Sequence, residues 1–224
     1  MNCKITKKKI KPFMSFGKMP IANGFLEKKD FNKEFFFDME VGFSEDLSLF
    51  QLRDHPSPEQ MFNSKYPFFT GSSAYMKIHF LHFAEFIKEN YLNDNSKIIE
   101  IGSNDGTFLE NFMNSNLESI GFEPSANVAA IANKKGINTL NSFFNQDSID
   151  QIKNFMGKTD VIYAANVICH VPDLSNLIKS IDKLLSKKGV FIFEEPYLGS
   201  MFNKVSYDQI YDEHIYMFSA SSIK

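Results

Sequence analysis

The sequence predicts an α/β fold that contains a mostly parallel, doubly wound sheet and a small N-terminal domain. Between residues 72 and 200, short apolar runs rich in β-branched residues alternate with segments of helical period. Strands that alternate with helices in this way form parallel sheets that are covered by helices on both faces. In such sheets, ligands bind at the carboxyl ends of the strands.

Residues 1–71 are interpreted as the small domain, because no long helical period develops there. Their short apolar pieces are interrupted by glycine and proline, at Gly17, Pro20, Gly24, Gly42, Pro56, Pro58 and Pro67. The pattern changes at Ser72. An amphipathic helix is predicted from this point, with Ser72 or Ser73 as its N-cap and apolar residues every three or four positions, at Met76, Phe80, Phe83 and Ile87.

Short strands are predicted after this helix, over residues 97–102, 119–123, 137–140, 160–165 and 190–193. Each of these runs is rich in β-branched or aromatic residues. Helical segments are expected between them, over residues 108–112, 126–132 and 174–185. Gly136 and Gly189 are expected to end the last two of these helices.

Composition excludes several classes of protein. The formal net charge is −3, and the only basic cluster, Lys7 to Lys11, is interpreted as a solvated arm, so no nucleic-acid partner is expected. The two cysteines, Cys3 and Cys169, lie too far apart in sequence to suggest a disulfide framework. No apolar run reaches the length of a membrane helix, and no signal peptide is recognisable. A soluble cytoplasmic protein without a membrane partner is expected.

The segment Glu100 to Gly106 carries the first sign of a cofactor site. Its two glycines are four positions apart directly after the first predicted strand, where backbone can approach a ligand closely. Glu123 follows Gly102 by 21 positions, at the predicted end of the second strand. A carboxylate there can accept hydrogen bonds from both hydroxyls of a ribose. The pattern therefore favours a cofactor that contains adenosine.

Two adenosine cofactors compete for this loop. A dinucleotide would bring a pyrophosphate, which is usually bound by the spacing G-x-G-x-x-G, and this loop lacks that spacing. The carboxylates of Glu100 and Asp105 would repel a pyrophosphate but would suit the ammonium and sulfonium of S-adenosylmethionine. The residues favour S-adenosylmethionine. An ordinary glycine turn with solvated acids is the alternative that remains.

Several separate blocks of the chain share a further pattern. They are Gly17 to Asn23, Tyr66 to Ser73, Glu100 to Gly106, Phe122 to Ser125, Ala165 to His170 and Tyr211 to Tyr216. In these blocks the chain resembles the sugar C-methyltransferase family of class I S-adenosylmethionine-dependent methyltransferases, whose members act on nucleotide-linked 4-keto deoxysugars. The resemblance implies a Rossmann-like class I methyltransferase fold with a small N-terminal domain.

The resemblance also implies a set of site residues. It assigns the methionine end of the cofactor to Glu100, Gly102, Asn104 and Gly106, with Ser103, Asp105 and Asn166 as further cofactor-binding residues. Glu123 would bind the ribose, and Phe144 would lie near the adenine. The catalytic groups on the sugar side would be His170, Tyr211, Glu213 and His214, with Tyr66 as an addition. Without the resemblance, His170 could equally be a loop residue, and Tyr211 to His214 an exposed polar turn.

Two departures from the family pattern lead to further expectations. Family members carry an N-terminal zinc site of two cysteine pairs, whereas this chain keeps Cys3 and has Thr6, Ser44 and Leu47 at the other three positions. Because structural zinc needs four nitrogen or sulfur ligands, no metal site is expected. The family also continues into another α/β domain, so residues 201–224 are interpreted as the start of a truncated C-terminal region. A separate chain could supply the missing domain.

The leading hypothesis is methylation of carbon on a nucleotide-linked 4-keto deoxysugar, in deoxysugar or surface polysaccharide synthesis. His214 is the candidate base, because a neutral imidazole can remove the proton from the carbon beside the keto group. Glu213 could orient this imidazole, and Tyr211 or His170 could donate a hydrogen bond to the enolate oxygen. The alternatives are an O- or N-methyltransferase of another small metabolite, and a non-catalytic or partner-dependent fragment that binds the adenosyl group.

Overall fold

The computed structural model describes every residue from Met1 to Lys224. Its α-helices and β-strands, labelled in chain order, are β1 (Pro12–Pro20), β2 (Phe36–Ser44), β3 (Leu49–Leu52), α1 (Pro58–Met61), α2 (Ala74–Tyr91), β4 (Lys97–Ile101), β5 (Glu118–Phe122), α3 (Ala126–Lys134), β6 (Thr139–Leu140), α4 (Gln146–Ile149), β7 (Thr159–Ala165), α5 (Leu174–Leu184), β8 (Leu185–Glu194), α6 (Leu198–Lys204), β9 (Tyr216–Met217) and α7 (Ala220–Ile223). Short 3₁₀ helices lie at Lys28–Lys33, Thr70–Ser72, Leu109–Phe112, Lys153–Phe155, Ile168–His170 and Tyr207–Gln209.

The chain divides into two compact units. The first unit consists of Met1–Met61, Asn166–Leu174 and Glu195–Lys224, and the second consists of Phe62–Ala165 and Ser175–Glu194. Each unit contains one sheet. No helix in either unit has the length and apolar character needed to cross a lipid bilayer.

The second unit contains a parallel sheet of five strands in the order β6-β5-β4-β7-β8. The fold class predicted from the sequence is therefore confirmed. Since the strands are parallel, the carboxyl ends of all five lie at one edge of the sheet. Loops that leave this edge hold the residues that the sequence singled out for the cofactor.

The two central strands of this sheet are buried because both of their faces carry apolar side chains. Ile98 and Ile99 of β4 and Val161 and Ile162 of β7 have no exposed surface. Burial of such a side chain stabilises the fold by about 1.5–3 kcal/mol. Ile98 and Val161 belong to one packed cluster, made of Phe80, Ala84, Ile87, Ile98, Phe108, Leu109, Phe112, Ala132, Ile137, Val161 and Tyr163.

Helix ends in the second unit follow the predicted signals in two cases. The Ser73 side chain accepts a hydrogen bond from the Met76 N–H at 3.3 Å, which caps the start of α2. Gly136 has φ +84° directly after the C-cap of α3, a conformation that glycine adopts without strain.

Gly189 does not end α5, so that prediction was wrong. Helix α5 ends at Leu184, and β8 begins at Leu185. Gly189 lies inside this strand, where a Cβ atom would be 2.4 Å from the Thr159 carbonyl oxygen. The glycine is needed because the backbone of β7 passes close to it, and the pairing of β7 with β8 is irregular between Thr159 and Val161.

The first unit contains an antiparallel sheet in the order β1-β2-β3-β9. Its strands were not predicted, since residues 1–71 were interpreted as irregular. Most side chains of β1 are exposed or half-buried, and its pairing with β2 has register shifts, so no clear alternation marks the strand. The core of the unit lies between this sheet and α6, where Val41, Leu52 and Met217 are fully buried.

The last strand of this sheet comes from the end of the chain. Phe50 pairs with Met217 and Gln51 with Tyr216, so β9 extends the N-terminal sheet. The sequence pattern predicts domain boundaries at residues 71 and 200, with residues 201–224 as a region of their own. The structure instead groups residues 195–224 with residues 1–61.

Candidate active site

The loop after β4 turns sharply at three positions. Gly102, Asn104 and Gly106 have φ angles of +68°, +49° and +79°, which are left-handed conformations that glycine and asparagine tolerate best. The turn is held against β5, because the Ser103 N–H donates to the Phe122 carbonyl oxygen at 3.0 Å. The loop therefore lies at the carboxyl edge of the parallel sheet.

Glu123 lies beside this loop. Its carboxylate accepts hydrogen bonds from the Asn104 N–H at 3.1 Å and from the Ser125 N–H at 2.7 Å. Burial raises the pKa of Glu123, while its hydrogen bonds with Ser125 and Asn104 lower it. The glycine loop and the carboxylate that the sequence predicted to share one edge of the sheet are thus brought together.

Glu100, near the end of β4, is a buried acid with no cation beside it. Its side chain is 3% exposed, and its Oε2 atom has no hydrogen-bond partner within the protein. Burial raises the pKa of Glu100 well above its ordinary value, and the charges of Glu123 and Asp105 raise it further. An acceptor in this state fits a cationic ligand, such as the methionine end of S-adenosylmethionine.

Asp105 and Asn104 are held by the segment that precedes α2. The Asp105 carboxylate accepts from the Gly71 N–H at 3.1 Å and from the Thr107 hydroxyl at 2.6 Å. Asn104 accepts from the Thr70 N–H at 2.8 Å. This clamp was not predicted, since backbone N–H groups leave no signal in the sequence. A Cβ atom on Gly71 would lie 2.6 Å from Asp105 Oδ2, which explains the glycine.

Tyr66 and Phe144 also belong to the second unit. The Tyr66 carbonyl oxygen accepts from the Asn127 side chain at 2.8 Å, and the Tyr66 ring packs on Phe62 at 5.3 Å between centroids. Phe144 is half-buried and meets Phe122 edge to face at 5.0 Å. Phe144 is therefore anchored to the last residue of β5, directly before Glu123.

A cluster of aromatic and titratable side chains lies within the first unit. The ring of His214 is 5.3 Å from that of His170, with 23° between their planes, and 4.4 Å from that of Tyr211. His214 Nδ1 lies 2.7 Å from the Gln209 carbonyl oxygen. The structure thus brings three of the predicted catalytic residues together.

The protonation states in this cluster follow from burial. Burial lowers the pKa of His214, although the bond to Gln209 opposes this shift. Burial and the nearby His214 lower the pKa of His170 to about 3. Burial, followed by the charge of Glu213, raises the pKa of Tyr211. At neutral pH both imidazoles are neutral and the phenol is protonated.

Glu213 joins two of the sequence blocks that carry the resemblance. Its carboxylate accepts from the Asn23 side chain at 2.6 Å, and the neighbouring Asp212 accepts from the Ala22 N–H at 3.1 Å. The N-terminal block that ends at Asn23 therefore supports the block that contains His214. The acceptor for His214 Nδ1 is a main-chain carbonyl, where the sequence had suggested a carboxylate such as Glu213.

Asn166 is the first residue after β7. It is exposed and has φ +54°, so it repeats the left-handed asparagine seen at Asn104 after β4. Asn166 belongs to the first unit, whereas the other predicted cofactor residues belong to the second.

Side chains that could donate to a metal lie at two places in the first unit. Cys3 Sγ accepts from the Thr6 N–H at 3.5 Å and from the Gln51 side chain at 3.4 Å. Burial raises the pKa of the Cys3 thiol, but the hydrogen bonds from Thr6 and Gln51 outweigh it and lower the pKa to about 7. The equivalent positions Thr6, Ser44 and Leu47 offer no nitrogen or thiolate, so the residues do not fit a structural zinc ion.

Cys169, His170 and His214 form a second group of donors. Their ligand atoms lie within 4.8 Å of one another. To bind zinc, the Cys169 sulfur would have to be a thiolate. Burial raises the pKa of the Cys169 thiol well above its ordinary value, and the charge of Glu195 adds to this shift. We therefore treat the two imidazoles as acid–base groups.

The parallel sheet, the glycine loop after β4 and the acid at the end of β5 define a Rossmann-like class I methyltransferase fold. A family model described as a methyltransferase domain matches residues 75–224, and one described as a zinc binding domain matches residues 3–62. The chain belongs to the methyltransferase domain family, whose cofactor is S-adenosylmethionine.

Two named relatives match most of this chain. The chain is 27% identical over 212 residues to the C-methyltransferase NovU of Streptomyces niveus. The matched region covers 94% of this chain and 50% of NovU. The chain is 29% identical over 199 residues to the carboxy-S-adenosyl-L-methionine synthase of Nautilia profundicola, covering 84% of this chain and 75% of that one. The chain thus spans about half the length of the C-methyltransferase.

Solved structures show the same fold at low identity. A Haloferax volcanii methyltransferase, solved in complex with the Trm112 activator, superposes with a TM-score of 0.54 at 13% identity and covers 68% of this chain and 69% of that one. The YcgJ protein of Bacillus subtilis gives a TM-score of 0.51 at 17% identity, covering 65% and 64% of the two chains.

Proposed function

We propose that this chain is an S-adenosylmethionine-dependent methyltransferase that methylates carbon in a nucleotide-linked 4-keto deoxysugar, with His214 as the base. The hydrogen bond between His214 Nδ1 and the Gln209 carbonyl oxygen supports this proposal most directly. Because a carbonyl only accepts, Nδ1 carries the proton and Nε2 keeps its lone pair. The lowered pKa of His214 keeps the ring neutral at physiological pH, as a general base requires.

A base is needed because the carbon that receives the methyl group must first lose a proton. S-adenosylmethionine supplies an electrophilic methyl group on a sulfonium. In the proposed step, His214 Nε2 takes the proton from the carbon beside the keto group, and negative charge develops on the keto oxygen. The Tyr211 hydroxyl or the neutral His170 imidazole donates a hydrogen bond to this oxygen, and one such donor contributes about 3 kcal/mol.

Cofactor binding is assigned to the second unit. Glu100 would receive the cationic methionine end, because its buried carboxyl lacks a partner at Oε2. Glu123 would accept the ribose hydroxyls, and Phe144 would lie against the adenine. Gly102, Ser103, Asn104 and Gly106 would contribute backbone at the turn, while Asp105 would shape the loop through its bond to Gly71.

The proposal of a sugar substrate rests on the sequence resemblance, and that of a partner chain on the length of one relative. One relative is named a C-methyltransferase, and half of that protein has no counterpart in the 224 residues of this chain. We therefore propose that binding of the nucleotide part requires a further region, supplied by the same protein or by a separate chain.

The proposal is tested by proton exchange and by methyl transfer with the same substrate. A nucleotide-linked 4-keto deoxysugar is incubated with the protein in D₂O, and exchange of the proton beside the keto group is followed by NMR. Transfer of a labelled methyl group from S-adenosylmethionine is measured in parallel. The His214→Asn variant is expected to lose both reactions and to bind S-adenosylmethionine as before.

The control is His82→Asn, which changes an exposed histidine of α2. Methyl transfer that survives in His214→Asn would contradict the carbon mechanism and would favour O- or N-methylation of another metabolite. Binding of S-adenosylmethionine without turnover, until a separate chain is added, would favour a partner-dependent fragment.

A further inference from the structure

Glu195 is a titratable residue that the mechanism above does not use. Its Oε1 atom accepts hydrogen bonds from the Val167 N–H at 3.0 Å and from the Ile168 N–H at 2.6 Å. Its Oε2 atom accepts from the Cys169 N–H at 3.2 Å. The Cys169 thiol also hydrogen-bonds this carboxylate. One half-buried side chain therefore satisfies three consecutive backbone donors and one side-chain donor.

These donors belong to the short helical turn that carries His170. The first N–H groups of a helical turn have no partner within the turn, so an acceptor from elsewhere decides whether the turn holds its shape. The turn is Ile168–His170, and the His170 N–H closes it by donating to the Val167 carbonyl oxygen at 2.9 Å. A negative charge at this end also matches the direction of the backbone dipoles.

The orientation of His170 matters because its ring stacks on the ring of His214. The centroids are 5.3 Å apart, and the planes are inclined by only 23°. His214 is fixed independently by the Gln209 carbonyl. A shift of the turn would therefore move one imidazole of the pair and leave the other in place.

We propose that Glu195 is a positioning residue that holds the Ile168–His170 turn and thereby sets the His170 imidazole against that of His214. The consequence for methyl transfer rests on the proposed function, whereas the consequence for the two rings does not. A carboxylate is required at this position because both of its oxygens accept. An isosteric amide would turn an N–H₂ group toward at least one backbone N–H.

The experiment compares Glu195→Gln with the wild-type protein by NMR of the histidine rings over a range of pH. The chain has five histidines, so their ring signals can be assigned by single substitutions. We expect the signals of His170 and His214 to move, while those of His55 and His82 stay in place. The control is Glu45→Gln, which changes an exposed acid of the same unit.

Methyl transfer provides the second readout. In Glu195→Gln, kcat is expected to fall about 10- to 100-fold, with affinity for S-adenosylmethionine unchanged, since small displacements of a reacting group have effects of this order. In a His170→Asn background the same change is expected to have little further effect, because Glu195 acts through His170.

Unchanged signals of His170 and His214 in Glu195→Gln would overturn the proposal, and so would effects on kcat that multiply in the double variant. If Glu195→Gln does not fold, Glu195→Asp is recorded instead. Its carboxylate keeps the charge but is shorter by one methylene, so it must also displace the two ring signals. If the wild-type protein has no methyl transfer activity, the NMR comparison still decides on Glu195 and separates its failure from that of the proposed function.

Discussion

Replacement of Glu100 by glutamine should weaken binding of S-adenosylmethionine and stabilise the protein without ligand. The change keeps the size of the side chain and removes a charge whose Oε2 atom has no partner inside the protein. A hydrogen bond to a charged group contributes about 1.5–3 kcal/mol. At about 1.4 kcal/mol for each factor of ten, the dissociation constant should rise about 10- to 150-fold.

The effect of Glu100→Gln on stability should depend on pH. The pKa of Glu100 in the folded protein is raised above its ordinary value of 4.5, chiefly by burial. Its contribution to stability is therefore fully present below pH 4.5 and is lost as the pH rises through the folded pKa. At pH 4.5 the variant and the wild-type protein should unfold at similar temperatures. As the pH rises through the folded pKa, the variant should unfold at a higher temperature than the wild type.

Calorimetry and thermal unfolding measure the two effects. Titration with S-adenosylmethionine in two buffers of different protonation enthalpy should also show that the wild-type protein releases a proton on binding and that the variant does not. Glu85→Gln, an exposed acid on α2, is the matched control. Equal affinities of wild type and Glu100→Gln would refute the assignment of this residue to the cationic end of the cofactor.

Three further outcomes are expected. Gly121→Ala should lower the free energy of unfolding by about 1–3 kcal/mol in urea titrations, because overpacking strains a buried site. The added Cβ atom would lie 2.3 Å from Ser103 Oγ. An unchanged urea midpoint would contradict this close contact. The kcat/KM for methyl transfer should decline on the acid side with an apparent pKa below 6.5, since burial lowers the pKa of His214 and the neutral form is the base. An acid-side decline with an apparent pKa above 6.5 would indicate another base. Treatment with a chelator should leave the unfolding temperature unchanged, because Thr6, Ser44 and Leu47 do not provide zinc ligands beside Cys3. A lower unfolding temperature, together with zinc in the untreated protein, would show that other residues bind zinc.

The parallel sheet could be predicted because its strands are defined by local patterns. Strands β4 and β7 are buried on both faces and contain the consecutive apolar residues Ile98–Ile99 and Val161–Ala165. The register Ile101 to Phe122 then places Gly102 and Glu123 at the same level of adjacent strands. A spacing of 21 residues in the sequence thus becomes a hydrogen-bonded contact between the loop and the acid.

The N-terminal sheet could not be predicted in the same way. Strand β3 has only four residues, and the strand that covers its other edge lies far along the chain. Local periodicity carries no information about such a partner. The same reason explains why residues 201–224 were separated from the N-terminal domain.

The residues that the sequence singled out for the site act through side chains, whereas the groups it missed belong to the backbone. Glu100 and Glu123 were named from residue type and position, and His214 from the family resemblance. The Thr70 and Gly71 N–H groups that hold the glycine loop, and the Gln209 carbonyl that fixes the tautomer of His214, are atoms that every residue possesses. Only coordinates distinguish these groups from the rest of the main chain.

The distant partner of β3 has a consequence for how the chain is made. During synthesis the N-terminal strands leave the ribosome first, yet β9 emerges only after the whole parallel sheet has been produced. Until then the free edge of β3 exposes unpaired backbone groups that can join a foreign strand. Shortening the gene before Tyr216 removes β9 and should therefore yield a protein that aggregates through the exposed edge of β3 at Leu49–Leu52.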